Sequence, residues 1–133
     1  MEQNRYFTQE EANALLSAVR PLAERMVAHR AALDRAQGRL GEFLEHISGN
    51  GGGLQPAELA EAHAAVEQEA GGIARCVDGI QELGGMVKDV GEGLVDFLAK
   101  REHEDVLLCW KLGEDEIAHW HGLEEGFAGR KPV

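Results

Sequence analysis

The sequence predicts an α+β fold in which a long antiparallel helical hairpin precedes a small antiparallel β-meander. Apolar residues recur at helical spacing up to residue 83 with one glycine-rich interruption, and beyond residue 85 the pattern changes to the alternation of strands. The length of 133 residues is that of one domain. We therefore divide a single domain, 1–133, into a helix at 7–47, a glycine-rich loop at 48–55, a helix at 56–83, a meander at 85–121 and a C-terminal tail at 122–133.

The first helix begins at a capping box. Thr8 is followed three residues later by Glu11, and Phe7 precedes them in the position of a hydrophobic staple. From there apolar residues recur every three or four positions as far as residue 47, which is typical of a helix with one buried seam. Pro21 lies inside this run, where it lacks a backbone donor and crowds the carbonyl of Ser17. We expect a kink near Pro21, or a division into two helices.

The second helix follows the segment SGNGGG, residues 48–53. Pro56 suits the first turn of a helix, and a second apolar seam continues to residue 80. Gly71 and Gly72 each cost this helix about 1 kcal/mol relative to alanine unless close packing offsets the loss. His29 and His63 fall on the two seams, but at a separation of about 18 Å along the hairpin they cannot share an ion.

The two predicted helices differ in length. The first (9–47) is about 12 residues longer than the second (57–83), an overhang of about 18 Å at 1.5 Å per residue. Its apolar residues Leu15, Leu16 and Val19 need cover from the sheet or from another chain. We therefore expect a homo-oligomer, most simply a dimer.

The meander is predicted from four apolar runs separated by turn signals. These runs are MVKDV (86–90), LVDFLA (94–99), DVLLCWK (105–111) and IAHWH (117–121). The sequence GEG between the first two has the spacing of a short hairpin loop. The third run is continuously apolar, which is typical of a strand covered on both faces, so we place it at the centre of the sheet.

The charge balance disfavours several kinds of partner. Thirteen Lys plus Arg against 24 Asp plus Glu give a formal charge of -11, which repels nucleic acid and anionic lipid surfaces. No apolar run approaches the roughly 18 residues of a membrane span, and the N-terminus has no apolar signal region. Cys76 and Cys109 lie in apolar surroundings without CxxC spacing and are expected to be reduced core residues. We expect a cytoplasmic protein that binds neither nucleic acid nor membranes.

The sequence motifs do not support any of the common enzyme classes. Ser17 and Ser48 lack the strand–turn–helix context of a nucleophile elbow. The sequence GNGGG lacks both the lysine and the preceding strand of a phosphate-binding loop. The sequence leaves open whether the chain is an enzyme.

The segment HWHGLEEGFAGRKP, residues 119–132, concentrates the functional side chains. His119 and His121 alternate on a predicted strand, so they project from one face with Cα atoms about 6.5 to 7 Å apart and both imidazoles can reach one ion. Asp96 on the second strand and Glu124 or Glu125 downstream are the carboxylates that could complete the ligand set. One hypothesis is therefore a metal-binding protein or metal-dependent hydrolase with a divalent ion such as zinc.

The alternative that we favour gives the same segment a structural role. The two histidines then orient the tail by hydrogen bonds to acidic residues, while Trp120 points to the opposite face and packs in the core or an interface. Arg130 and Lys131 contact an anion or dock by charge on the domain or a partner, with Phe127 as the anchor. The chain would be a non-catalytic binding or assembly protein whose functional surface is the closing strand and tail.

Several blocks of the sequence resemble one protein family. The blocks are YFTQEEANALLSAVRPL near the start and GLVDF, LCWKLGEDEIAHWH and GFAGRKP towards the end. Together they resemble an uncharacterised bacterial family, domain of unknown function 2203, whereas the middle of the chain agrees mainly in being helical. The resemblance implies a bacterial cytoplasmic protein and brings no activity with it. Leu98 stands where such proteins are expected to have proline, which bears on the local shape of the second strand.

Overall fold

The computed structural model describes residues 5–50 and 56–133, with side chains from 5 to 47 and from 56 onward. Two helices precede an antiparallel sheet, so the predicted α+β class is confirmed. Most of the predicted loop at 48–55 lies outside the described residues. The elements are α1 (Gln9–Asn50), α2 (Pro56–Glu82), β1 (Met86–Asp89), β2 (Leu94–Arg101), β3 (Glu104–Lys111), β4 (His119–Gly122), a 3-10 turn (Phe127–Gly129) and β5 (Lys131–Pro132).

Helix α1 begins with the predicted capping box. The backbone N–H of Thr8 donates to Glu11 Oε1 at 2.8 Å, and the N–H of Glu11 donates to Thr8 Oγ1 at 3.0 Å. Phe7 is buried and packs edge-to-face on Phe97 with ring centroids 5.4 Å apart. Its own N–H donates to the Leu98 carbonyl at 2.7 Å. The start of α1 is therefore tied to strand β2.

Pro21 does not divide the first helix. Helix α1 runs unbroken from Gln9 to Asn50, three residues beyond the predicted end. Pro21 removes the donor that would bond the carbonyl of Ser17, but both residues are exposed, so water can reach this side of the helix. The alternative of two helices is therefore wrong.

The middle of the hairpin is packed through a glycine. A Cβ atom on Gly72 would lie 2.6 Å from the imidazole ring of His29, so only glycine leaves room for this ring between the helices. His29 Nδ1 lies 2.7 Å from Glu69 Oε1 on α2. His63 is exposed. Close packing thus offsets part of the cost of a glycine inside α2, which continues through this position.

The sheet has five antiparallel strands in the order β1-β2-β3-β4-β5. The fifth strand was not predicted, because two residues with a proline carry no strand pattern. Strand β4 begins at His119 instead of the predicted Ile117. The Ile117 N–H donates to Asn13 Oδ1 at 2.6 Å, and the Ile117 carbonyl accepts from Gln9 Nε2 at 2.8 Å. Both backbone groups of Ile117 therefore hydrogen-bond side chains of helix α1 instead of a neighbouring strand.

The sheet is buried on both faces, by different layers. One face packs on the helices through a core that includes Val19, Met26, Val95, Phe97, Leu108 and Trp110. The other face carries buried residues of β2, β3 and β4, including Asp96, Cys109 and His121. All residues from Val106 to Trp110 are buried, which confirms the prediction that the third run is covered on both sides.

The overhang of α1 lies within this core. Leu16 and Val19 are buried in the cluster that also contains the sheet residues, so their cover does not require a second chain. The homodimer stays a prediction. Over the described residues, neither helix combines the length and the apolar character that crossing a bilayer requires.

Candidate metal centre

Three adjacent strands bring a carboxylate, a thiol and an imidazole to one face of the sheet. Asp96 on β2 pairs with Cys109 on β3, and on β4 His119 pairs with Cys109 while His121 pairs with Leu107. Directly paired residues share a face, and side chains alternate along each strand. Asp96, Cys109 and His121 therefore all project from the face opposite the helices.

The three side chains form a compact buried cluster. One ligand atom from each of Asp96, Cys109 and His121 lies within 4.8 Å of the others. Their exposed fractions are 1%, 1% and 3%. Asp96 Oδ2 lies 2.9 Å from His121 Nε2, whereas Asp96 Oδ1 is buried and has no hydrogen-bond partner among the described residues. Such an orphaned oxygen is uncommon in a folded protein.

The backbone determines the tautomer of His121. His121 Nδ1 lies 2.8 Å from the carbonyl oxygen of Gly122. Because a carbonyl can only accept, Nδ1 carries a proton, and Nε2 is the nitrogen directed at Asp96; in the metal-free protein their 2.9 Å contact requires one proton on either Nε2 or Oδ2. An Nδ1–H held by a backbone carbonyl is the usual support of a metal-binding histidine.

Burial disfavours negative charge throughout the cluster. Burial raises the pKa of Asp96, and the neighbouring His121 opposes that change. Burial likewise raises the pKa of the Cys109 thiol to about 12, with the charge of Asp96 adding to the effect. A cation between these groups reverses both preferences, because it stabilises the carboxylate and the thiolate together.

The C-terminal tail covers this face of the sheet. We call residues 123–130 the closing segment. Glu125 anchors it, because its Oε1 accepts from the Gly122 N–H and from Lys131 Nζ, each at 2.7 Å. Between the closing segment and the sheet lies a cavity of about 120 Å³, with the cluster in its wall. Its other lining residues are Lys88, Leu94, Leu107, Leu123, Glu125, Gly126 and Phe127.

His119 is held away from the cluster by an arginine. Arg130 Nη2 donates to both carboxylate oxygens of Glu114, at 2.8 and 2.7 Å, and lies 2.8 Å from His119 Nδ1. A guanidinium can only donate, so this imidazole nitrogen is an acceptor. Of the four residues predicted as metal ligands, the structure brings Asp96 and His121 together, leaves His119 beside Arg130, and leaves Glu124 exposed.

The predicted contact residues are engaged within the chain. Trp120 is half-buried on the helix side of the sheet, with Lys131 Nζ 4.7 Å and the Arg101 guanidinium 4.6 Å from its ring centre. Lys131 pairs with Glu125, as Arg130 does with Glu114. The turn around Glu114 is a docking point for α1 and the tail, through Arg20 and Arg130.

Sequence reasoning missed Cys109, which it placed in the apolar core. The available signal was the hairpin register, since pairing Arg101 with Glu104 also pairs Asp96 with Cys109. That register follows from a two-residue turn at Glu102 and His103, both with positive φ. The sequences Asn-Gly and Asp-Gly predict such a turn, whereas Glu-His does not.

The whole of this architecture lies within one family match. The model of a family described as "Uncharacterized conserved protein (DUF2203)" matches residues 5–133, so this chain belongs to that family and the resemblance is confirmed. Searches of curated proteins and of solved structures gave no match. The family description names no activity.

Proposed function

We propose that this protein binds a divalent transition metal of the zinc class through Asp96, Cys109 and His121. The observation that supports this proposal best is the orphaned Oδ1 of Asp96, buried in a cluster of three potential ligands. Buried polar atoms are nearly always satisfied, and an ion at the centre of the cluster satisfies this one. The same ion takes the Nε2 lone pair of His121 and the sulfur of Cys109.

The donor set favours zinc over harder ions. Sulfur, nitrogen and oxygen together suit a borderline ion, whereas calcium and magnesium prefer oxygen alone. A carboxylate and a thiolate carry two negative charges, which a divalent ion neutralises in a site with little access to water. Three protein ligands leave a fourth tetrahedral position for another molecule, which is the pattern of catalytic zinc sites.

The competing proposal, a structural role within a binding or assembly protein, is supported by the His121–Asp96 contact. That contact ties β2 to β4, and the pairs made by Arg130 and Lys131 fasten the closing segment. A structural network offers Asp96 only the nearby Cys109 thiol, a weak donor, beside His121, whereas an ion binds all three side chains. We therefore rank metal binding first.

Elemental analysis of protein purified without a histidine tag, followed by zinc titration against a chelating dye, tests the proposal. We expect one ion per chain and an affinity at least about tenfold weaker in Cys109→Ser. Cys76→Ser is the matched control, because Cys76 is also a buried free thiol but packs in the apolar core. Absence of zinc binding to the wild type, or equal zinc affinity in the two variants, would refute the proposal.

A further inference from the structure

We infer that the metal centre takes a short-chain carboxylate, which binds in the cavity between the ion and Lys88; this inference rests on the proposed metal binding. The observations behind it are the size and lining of the cavity, the bulge that carries Lys88 and the charge balance of the centre.

The cavity sets the size and character of the ligand. Its volume is about 120 Å³, and a cavity of about 150 Å³ suffices for a benzene ring. The enclosed part of a ligand is therefore limited to roughly five or six non-hydrogen atoms. Four of the lining residues, Leu94, Leu107, Leu123 and Phe127, are apolar, so they suit a short hydrocarbon chain.

A β-bulge places Lys88 at the same cavity. Val87 pairs with Val95 and Asp89 with Leu94, so two steps along β1 match one step along β2 and Lys88 has no partner in the ladder. A bulge of this kind redirects a side chain, and bulges are over-represented next to functional sites. Lys88 lines the cavity, and its positive charge acts on the buried Asp96 carboxylate.

Charge accounting favours an anion. A divalent ion with one carboxylate, one thiolate and a neutral imidazole has no net charge, and Glu125 in the cavity wall pairs with Lys131. The exposed ammonium of Lys88 is then the charge at the cavity that is left to balance. Among the described residues no ion pair includes Lys88, although the chain carries a formal charge of -11. A carboxylate with one oxygen on the ion and the other near Lys88 satisfies both, while its hydrocarbon part contacts the apolar wall.

Cobalt-loaded full-length protein tests this inference, because the visible spectrum of the ion reports changes in its coordination. We would titrate propionate and, as a neutral control of the same shape, propionamide. We expect a saturable spectral change with propionate and binding at least about tenfold weaker for propionamide. In Lys88→Gln, propionate should bind roughly three- to tenfold more weakly while the affinity for cobalt is unchanged. The control variant Lys100→Gln removes an exposed lysine near the end of β2, and it should leave the affinities for cobalt and for propionate unchanged.

The outcomes separate the two proposals. If the wild type fails to bind cobalt, metal binding and carboxylate binding are both refuted. If cobalt binds but propionate leaves its spectrum unchanged, only the carboxylate inference is refuted. The same holds if propionamide binds as well as propionate, or if Lys88→Gln and Lys100→Gln have equal effects on propionate binding.

Discussion

Replacement of His121 by alanine should destabilise the metal-free protein far more than loss of one surface contact would. His121 Nε2 lies 2.9 Å from Asp96 Oδ2, and the two side chains are only 4% and 1% exposed. Removing His121 leaves the buried Asp96 with only the nearby Cys109 thiol, a weak donor. Breaking a buried pair in this way costs about 3 to 5 kcal/mol.

Urea unfolding in the presence of a chelator measures this cost, and a double-mutant cycle identifies its origin. Asp96→Ala/His121→Ala removes both polar groups, so its loss of stability should be smaller than the sum of the two single losses by at least about 1.5 kcal/mol. Additivity within about 0.5 kcal/mol would show that the two side chains do not act as a pair, and would refute the reasoning.

Three further predictions concern the rest of the molecule. Gly72→Ala should lower the melting temperature because its Cβ displaces the His29 ring, whereas Gly41→Ala meets nothing within 4 Å and should raise stability by up to about 1 kcal/mol; changes of the same sign would contradict the packing argument. Lys131 and the Gly122 N–H hold the pKa of Glu125 below its ordinary value of 4.5, so the stability that this carboxylate contributes is complete above about pH 4.5 and is lost as pH falls through the lower folded-state pKa. Unfolding of wild type and Glu125→Gln across this range should therefore converge at low pH, and a constant difference would exclude this origin. Light scattering should detect a dimer, and a mass of 14.5 kDa at all micromolar concentrations would exclude it.

Local patterns were sufficient to predict the helices and most of the strands. The capping box at Thr8 and Glu11 and the apolar seam that follows depend on residues three or four positions apart, so the sequence contains the whole signal. The alternation in β2 and the continuous apolar run of β3 are equally local. The alternation of side chains along a strand also placed His119 and His121 on one face, towards Asp96 and the tail.

Long-range contacts decided which residues form the candidate site, and local sequence patterns do not reveal such contacts. Cys109 belongs to the cluster because the β2–β3 register sets it opposite Asp96, and this register depends on a turn whose residues give no signal. His119 has the same local pattern as His121, yet it lies outside the cluster because Arg130, eleven residues later, reaches it and Glu114 together. Distant partners compete for each side chain, so spacing alone could not distinguish the two histidines.

The sequence by itself determined which residues of β2, β3 and β4 share a face, because side chains alternate along a regular strand. The apolar run of β3 predicted cover on both faces, but only the tertiary structure decided what covers the face away from the helices. That burial requires the closing segment to fold back over Asp96, Cys109 and His121, held by Glu125 and Arg130. Water is removed from the three polar side chains only when the tail and the sheet meet, and this loss of solvent makes them a candidate metal centre.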